Sequence, residues 1–413
     1  MVEKGKNIPL VVVPRKKIST EFLIKIEKII STIENPPSLI LLYDHKPNFK
    51  NLKIPINASY GMIDEITNII VKEYDWFQKL EGYGFYRLIQ FLCAPEKVIF
   101  RDDDTVELGP ELINFQMKYL GKKVKEILKK FEKKELFIAN NEENYEIGHI
   151  IGTYRGKNML QFSNGPSPIE LLKLDGIWYN PNKGDEVYRN YAKNGKMDPI
   201  NGNRINLGTF FYSNHGCSSQ TSNYYSIIPP MDGWIRGNDD TNASRILFYL
   251  KEKMNLTSAS INYGVQHNFH KNITQNQTNR NLAIHINTVF FEPLARWIFD
   301  KIKSLNKYSL SPNLIIKKVG ELIVNQEYYE LKELYQKNVL VSRKKLVMII
   351  DKLKINHPEI YLALQKIKWL KCEQKTWEYF QNTGNLFLHW NDLFKKYKDI
   401  VPTLLKEIGE KNQ

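Results

Sequence analysis

Three consecutive aspartates follow a short apolar run in the segment KVIFRDDDT, residues 97–105. Carboxylates this close together raise one another's pKa unless a cation lies between them. Alternate side chains of an extended turn point to the same side, so Asp102 and Asp104 can chelate one divalent cation. A hard cation together with a diphosphate would offset the repulsion. Alternatively, the aspartates only cap the following helix, although one carboxylate suffices for a cap.

Strand and helix patterns alternate along the chain that leads to these aspartates. IPLVVVP (8–14) and SLILLYD (38–44) are apolar runs typical of buried parallel strands, and an amphipathic helical pattern (19–33) separates them. This order predicts a parallel sheet with helices on both faces. Ligands bind outside the carboxyl ends of such strands, so Pro14, Asp44 and the aspartate triplet become site candidates. Asp44 can accept hydrogen bonds from a ribose or a base.

The chain here resembles a known family of enzymes. Gly82-x-Gly84-x-x-Arg87, followed by LIQFLCAPEKVIFRDDDT (88–105), is similar to the GT-A fold of nucleotide-sugar-dependent glycosyltransferases. In that family a Gly-rich, Arg-containing helix start precedes a strand that ends in an Asp-x-Asp motif. The resemblance covers roughly residues 8–271. It implies an α/β fold with a Rossmann-like, mostly parallel sheet flanked by helices.

The resemblance also implies roles for individual residues. Asp102 would approach the ribose of the donor, and Asp102 and Asp104 would coordinate a manganese or magnesium ion on the sugar-nucleotide diphosphate. Asp103 would fill the variable position of the motif, beside the donor. Arg87 or Lys79 would lie near the phosphates or the base of the nucleotide.

A second constellation lies at the start of a predicted amphipathic helix, in PPMDGWIRGNDDTNASRILFYL (229–250). In many GT-A enzymes a similar turn carries the general base of an inverting transfer. By that similarity Asp239 is the candidate base and Asp240 the second choice. Asn238 stands where an acidic residue is usual, which leaves the base and inversion itself open. Both aspartates could instead cap the helix and complement its dipole.

Two histidines three residues apart form a third constellation, in YGVQHNFHKN (263–272). Several GT-A families complete the metal shell with a histidine from this late region, and imidazole binds manganese alongside carboxylates. His270 is the preferred ligand and His267 the alternative, with Lys271 as a phosphate partner. A surface loop rich in asparagine and histidine is the other interpretation.

The segment GTFFYSNHGCSSQTSNYY (208–225) combines small, polar and aromatic residues. Such loops suit a sugar, because aromatic faces stack on the ring and hydroxyls or amides bond its oxygens. In GT-A enzymes a Gly-rich strand at this point contacts donor and acceptor. Asn214, His215 and Gly216 are therefore candidates for binding the nucleotide sugar.

Composition sets the wider frame. The chain has 413 residues, three cysteines and a net charge of +14, and it lacks an apolar run long enough to span a bilayer. We expect a GT-A domain over 1–303, with a nucleotide-binding half (1–108) and an acceptor half (109–303), and a helical C-terminal domain over 304–413. The latter carries 19 Lys/Arg against 12 Asp/Glu, or +7. Because the cysteines are too few for a disulfide framework, we expect a cytoplasmic location. Peripheral contact at the inner membrane surface stays open.

The sequence therefore predicts a metal-dependent glycosyltransferase. It would move a sugar from a nucleoside-diphosphate-sugar to a hydroxyl of a glycan, a lipid-linked or a small-molecule acceptor, with inversion favoured. One alternative is a nucleotidyltransferase that forms sugar nucleotides, but its usual Gly-rich loop after the first strand is missing from PRKKIST (14–20). The other is a non-catalytic nucleic-acid-binding protein, which would leave the triplet unexplained. The oligomeric state stays open.

Overall fold

The first four strands run parallel, and each is built from an apolar or small-residue segment. They are β1 (Leu10–Val13), β2 (Leu39–Tyr43), β3 (Ala58–Met62) and β4 (Lys97–Asp102). Hydrogen bonding places them in the order β3-β2-β1-β4. The computed structural model describes residues 8–13, 20–44, 58–80, 82–94, 96–102, 105–107, 109–131, 136–138, 142–155, 218–230, 239–266, 276–337, 339–340 and 369–408.

The rest of the sheet has mixed strand directions. Its strands are β5 (Val106–Glu107), β6 (Leu136–Ile138), β7 (Glu146–Arg155), β8 (Ser218–Thr221), β9 (Leu256–Gln266) and β10 (Lys406–Glu407). The ten described strands follow the order β10-β3-β2-β1-β4-β8-β7-β9-β5, with β6 also paired to β9. Strand β8 is antiparallel to both β4 and β7, whereas β9 is parallel to β7.

Helices connect and cover these strands. The described ones are α1 (Thr20–Ile30), α2 (Ile63–Val71), α3 (Gly82–Cys93), α4 (Glu111–Tyr119), α5 (Val124–Leu128), α6 (Ser222–Tyr225), α7 (Asp239–Met254), α8 (Asn276–Leu305), α9 (Pro312–Val324) and α10 (Trp369–Tyr397). Two 3-10 helices span Asp75–Lys79 and Val401–Leu404, and residues 329–337 are also helical. None of the described helices is both long and apolar enough to cross a membrane.

Alternation along the central strands explains why both faces of the sheet are covered. In β1, Leu10 and Val12 join a core with α1, whereas Val11 packs on the opposite face in a core with α2 and α3. Side chains of a strand alternate between faces, so a strand that is apolar throughout must be buried on both sides. The predicted class, α/β with a sheet flanked by helices and a helical C-terminal extension, is confirmed.

The C-terminal helices pack on the same apolar core as α2 and α3. Helices α9 and α10 meet at two glycines, Gly320 and Gly384, and a Cβ at Gly320 would overlap the backbone nitrogen of Leu388. After α10 the chain returns to the sheet, where β10 pairs antiparallel with β3. The division into units 1–303 and 304–413 stays a prediction, and its boundary lies within α8.

Candidate active site at the carboxyl edge of the sheet

Two of the predicted acidic residues lie where parallel strands end. Asp102 is the last residue of β4 and pairs in register with Val13, the last residue of β1. Asp44 directly follows β2, which pairs with β1 on the other side. The structure thus places Asp44 and Asp102 at one edge of the sheet, where ligands bind in α/β proteins. Pro14 lies outside the described residues.

Helix α3 bonds to both of these carboxylates. Arg87 Nη2 lies 3.3 Å from Asp102 Oδ1, and the preceding Tyr86 donates its hydroxyl to Asp44 Oδ2 at 3.4 Å. The helix begins at Gly82, whose φ of 85° lies in the left-handed region that glycine adopts without steric cost. The predicted Gly-rich, Arg-containing helix start therefore lies beside the strand ends. Sequence reasoning missed Tyr86, since one more tyrosine in an aromatic-rich helix start carries no distinctive signal.

Arg87 is held from three sides. In addition to the contact of Nη2 with Asp102, Arg87 Nη1 donates to Gln90 Oε1 at 2.6 Å. The guanidinium carbon of Arg87 lies 4.7 Å from the centre of the Phe100 ring. The guanidinium is nearly buried, with 7% of the side chain exposed, whereas 26% of the Asp102 side chain is exposed. Charge-assisted bonds of this kind fix the orientation of a carboxylate. Through Arg87, helix α3 therefore orients Asp102.

The chain turns sharply after Asp102. The Thr105 N–H donates to the Asp102 carbonyl at 3.0 Å, the i to i+3 bond of a tight turn. Thr105 is 1% exposed, and its hydroxyl has no hydrogen-bond partner among the described residues. Buried polar atoms are normally hydrogen-bonded, and one without a protein partner can bond to water or to an ion. Asp103 and Asp104 lie outside the described residues, and their predicted roles stay predictions.

A buried arginine lies immediately before the turn. Arg101 donates from Nε to the Glu107 carboxylate, from Nη1 to the Phe100 carbonyl at 2.6 Å and from Nη2 to Gln116 Oε1 at 3.0 Å. Burial raises the pKa of Glu107, and the positive charge of Arg101 opposes that rise. Sequence reasoning missed this group, although an arginine inside the apolar run KVIFRD was a visible signal.

Two other strands end or begin beside the turn. Gln266, the last residue of β9, pairs with Val106 directly after the turn. Strand β8 starts at Ser218, and its next residue, Ser219, pairs with Ile99 of β4. The candidates that adjoin these strands in sequence lie outside the described residues: Asn214, His215, Gly216, His267, His270 and Lys271.

The remaining candidates lie on helices. Asp239 and Asp240 are the first two residues of α7, and their side chains are outside what the structure describes. Helix α7 leads through the single residue Asn255 into β9, the strand that ends beside the turn. Lys79 is the exposed last residue of the 3-10 helix that precedes α3. The backbone thus links Lys79 to the site through α3, and it links Asp239 and Asp240 to the site through α7 and then β9.

A metal ion would need ligands from several of these segments. Within the described ranges, no three His, Cys, Asp or Glu side chains are grouped so as to hold one. Of the four predicted ligands only Asp102 belongs to those ranges, and it lies at the turn with the buried Thr105 hydroxyl. Carboxylates with an imidazole form a donor set that suits manganese, and oxygen ligands alone suit magnesium. The residue types therefore fit the metal.

Comparison with known proteins gives similarity at the level of solved structures. No family model matches the chain, and no curated protein matches its sequence. Glucosyl-3-phosphoglycerate synthase from Mycobacterium tuberculosis, solved with Mn2+, uridine diphosphate and glucosyl-3-phosphoglycerate, is 10% identical. Its TM-score is 0.33, over 69% of this chain and 79% of the synthase. The structure of a mycobacterial protein is 10% identical, with a TM-score of 0.35 over 71% of this chain and 75% of that protein.

Proposed function

We propose that the protein is a metal-dependent glycosyltransferase of the GT-A type, which transfers a sugar from a nucleoside-diphosphate-sugar to an acceptor hydroxyl. One observation carries the proposal: Asp44 and Asp102 share the carboxyl edge of the parallel strands, and α3 bonds to both of them. A nucleotide needs such acceptors, because its ribose hydroxyls and the amino groups of its base donate hydrogen bonds. The aspartate triplet begins at the same point of the chain.

The donor would lie across the ends of β1, β2 and β4. Asp102, oriented by Arg87, would accept a hydrogen bond from the ribose, and Asp44 one from the ribose or base. Asp102, Asp104 and His270, with His267 as the alternative, would hold manganese or magnesium. The pairing of Val106 with Gln266 supports this set, because His267 is the next residue of the chain. When bound, the metal would offset negative charge on the leaving diphosphate.

The chain's own groups would perform the proton transfer. Asp239 would accept the proton of the acceptor hydroxyl while the oxygen attacks the anomeric carbon and the bond to the diphosphate breaks. A carboxylate in the first turn of a helix is stabilised in its ionised form by the helix dipole. Asp239 begins the 16-residue helix α7, which supports its assignment as base, with Asp240 as second candidate. Attack from the face opposite the diphosphate would invert the anomeric centre.

The acceptor and the location stay at the level of chemical class. A glycan, a lipid-linked sugar or a small molecule can each supply a hydroxyl, and the loops with Asn214, His215 and Gly216 would contact donor and acceptor. Lys271 would lie near the diphosphate, and Lys79 or Arg87 near the phosphates or the base. The +7 charge of residues 304–413 suits an anionic acceptor at a membrane surface, in a cytoplasmic protein.

A thermal-shift panel tests the proposal. UDP, GDP, CDP, ADP and dTDP, and their sugar derivatives, are each added with and without manganese. A ligand at one hundred times its dissociation constant adds about 2.7 kcal/mol of stability, which is easily detected. We expect one base to give a shift that requires manganese. If none of the nucleotides shifts the melting temperature, the proposal is contradicted.

Product analysis separates the alternatives. A glycosyltransferase releases nucleoside diphosphate from the sugar nucleotide, whereas a nucleotidyltransferase forms the sugar nucleotide from a nucleoside triphosphate and releases pyrophosphate. A nucleic-acid-binding protein would do neither, and its affinity for DNA or RNA would fall steeply between 50 and 200 mM salt. Release of nucleoside diphosphate together with a glycosylated acceptor is the expected result.

A further inference from the structure

The last two residues of β4 point to opposite faces of the sheet, and each meets a different helix. Asp102 faces α3, where Arg87 bonds to it, and Arg101 faces α4, where Gln116 bonds to it. Successive side chains of a strand alternate in this way. The turn that starts at Asp102 is therefore fixed from two sides, only one of which includes a predicted ligand residue.

Arg101, Glu107 and Gln116 form a buried group that we call the Arg101 cluster. Arg101 is 1% exposed and Gln116 is fully buried, while the Glu107 side chain is 2% exposed. Each guanidinium nitrogen of Arg101 donates a hydrogen bond within the group or to the Phe100 carbonyl. Arg101 precedes the turn and Glu107 follows it, so the ion pair joins the two ends of the segment that carries the aspartates.

Stability alone does not account for this arrangement. Burial of two charges costs desolvation energy, and apolar residues of similar volume are often at least as stable as a buried ion pair. An arginine fork, however, fixes direction as well as distance, because its donors are planar and rigid. The second strand of the cluster, β5, also pairs with β9 through Val106 and Gln266. The position of Glu107 in β5 therefore sets where β5 meets the end of β9.

We propose that the Arg101 cluster is a positioning device that fixes the backbone at Asp102 and Thr105, and with it the placement of the Asp102 carboxylate for a divalent cation. Arg101 and Glu107 are positioning residues, since they act through the aspartates and touch no substrate. The inference rests on the proposed function. It goes further by assigning the metal affinity to a buried group that contributes no ligand.

The test compares three proteins that should all fold. Arg101→Met/Glu107→Leu replaces the ion pair with apolar side chains, and Gln116→Leu removes one bond. Leu393→Ala, in the fully buried part of α10, serves as a control that lowers stability away from the site. Manganese affinity is measured by electron paramagnetic resonance with nucleoside diphosphate present, at a temperature where each protein is folded. We expect at least a tenfold weaker affinity in the double variant, about threefold in Gln116→Leu and no change in the control.

A metal-free readout separates positioning from general damage. The Thr105 N–H, bonded to the Asp102 carbonyl, should exchange with solvent at least tenfold faster in the double variant than in wild type. The same amide should stay protected in Leu393→Ala. Arg101→Lys keeps the charge but lacks the planar fork of arginine. We therefore expect this variant to fold and to bind manganese at least threefold more weakly than wild type.

The outcomes are distinguishable. If wild-type protein binds manganese and the double variant binds it equally well, the positioning inference is wrong and the proposed function is untouched. If the double variant does not fold, Gln116→Leu decides, and wild-type affinity in that variant overturns the inference. If wild-type protein shows no manganese binding with any nucleoside diphosphate, the proposed function fails and the inference fails with it.

Discussion

Strand β4 ends between two arginine–carboxylate pairs that differ in their access to solvent. In the pair Arg101–Glu107 the side chains are 1% and 2% exposed, whereas in Arg87–Asp102 they are 7% and 26% exposed. An enclosed pair cannot exchange its partner for a ligand without leaving a buried charge uncompensated. A carboxylate that is a quarter exposed can keep its arginine and still accept a ribose hydroxyl or a cation. The same type of ion pair is thus enclosed on one face of the sheet and leaves a carboxylate accessible to a ligand on the other.

The largest effect is expected where the enclosed pair is broken on one side. Arg101→Met leaves Glu107 buried without its cation, which should lower the free energy of unfolding by about 3–5 kcal/mol. Urea denaturation measures this loss. The double variant Arg101→Met/Glu107→Leu should recover most of it, because no unpaired charge remains. A loss below about 1 kcal/mol in the single variant would show that solvent reaches the pair, and the contrast would break down.

The open pair should show the reverse balance between stability and binding. Arg87→Met should lower the free energy of unfolding by only about 1–2 kcal/mol, since Asp102 can turn to water. Its affinity for nucleoside diphosphate should nevertheless fall about tenfold, because Asp102 loses its fixed orientation. Calorimetric titration measures the affinity, with Arg87→Lys as the variant that keeps the charge and part of the binding. Unchanged affinity in Arg87→Met would mean that Asp102 needs no such support.

A half-buried histidine tests how burial shifts a pKa in a group that is not held in a buried ion pair. His389 of α10 stacks on Trp76, and burial lowers its pKa from 6.5, an effect that Asp392 opposes and Lys317 reinforces. Its lowered pKa means that the folded state favours the neutral ring. The contribution of His389 to stability is therefore present above about pH 6.5 and is lost as the pH falls through the folded pKa.

Variants on this helix make the pH prediction specific. Wild-type protein should lose more stability between pH 7.5 and pH 5 than His389→Gln, as measured by urea denaturation at each pH. The difference should be well below the effect of Arg101→Met. Asp392→Asn removes the carboxylate that favours the charged ring, so its acid loss should be steeper. Identical pH profiles for wild type and His389→Gln would contradict the assignment.

The smallest effect is expected for an ion pair in water. Lys396 bonds to Glu73, with about half of each side chain exposed, and the contact lowers the pKa of Glu73. Solvent screening makes such pairs nearly neutral for stability. Lys396→Gln should match Lys395→Gln, a neighbouring lysine with the same charge change, in its urea midpoint. A clear difference between the two variants would show that exposure is a poor guide to the strength of these pairs.

The strands and helices that form the site could be predicted because their signals are local. The runs IPLVVVP, SLILLYD and KVIF predicted β1, β2 and β4, since short apolar runs bounded by turn residues have the length of buried strands and not of helices. Their parallel order then placed Asp44 and Asp102 at one edge. Strand β3, with the sequence ASYGM, has too few apolar residues to stand out.

The polar partners at the site could not be predicted, because they join distant parts of the chain. Tyr86 meets Asp44 across 42 residues, and no local pattern links them. Arg101 lies close to Glu107 in sequence, but their contact depends on the turn between them and on Gln116 from a helix. In the C-terminal segment, large side chains such as Trp390 pack in the core that this segment shares with α2 and α3.

Calorimetric titration with nucleoside diphosphate, with and without manganese, tests the central claim most directly. It compares wild type, Asp104→Ala and the matched control Asp103→Ala, which removes the same charge at the variable position. The account predicts that manganese strengthens binding at least tenfold in wild type, that Asp104→Ala abolishes this gain, and that Asp103→Ala keeps most of it. Equal manganese-dependent affinity in wild type and Asp104→Ala would contradict it.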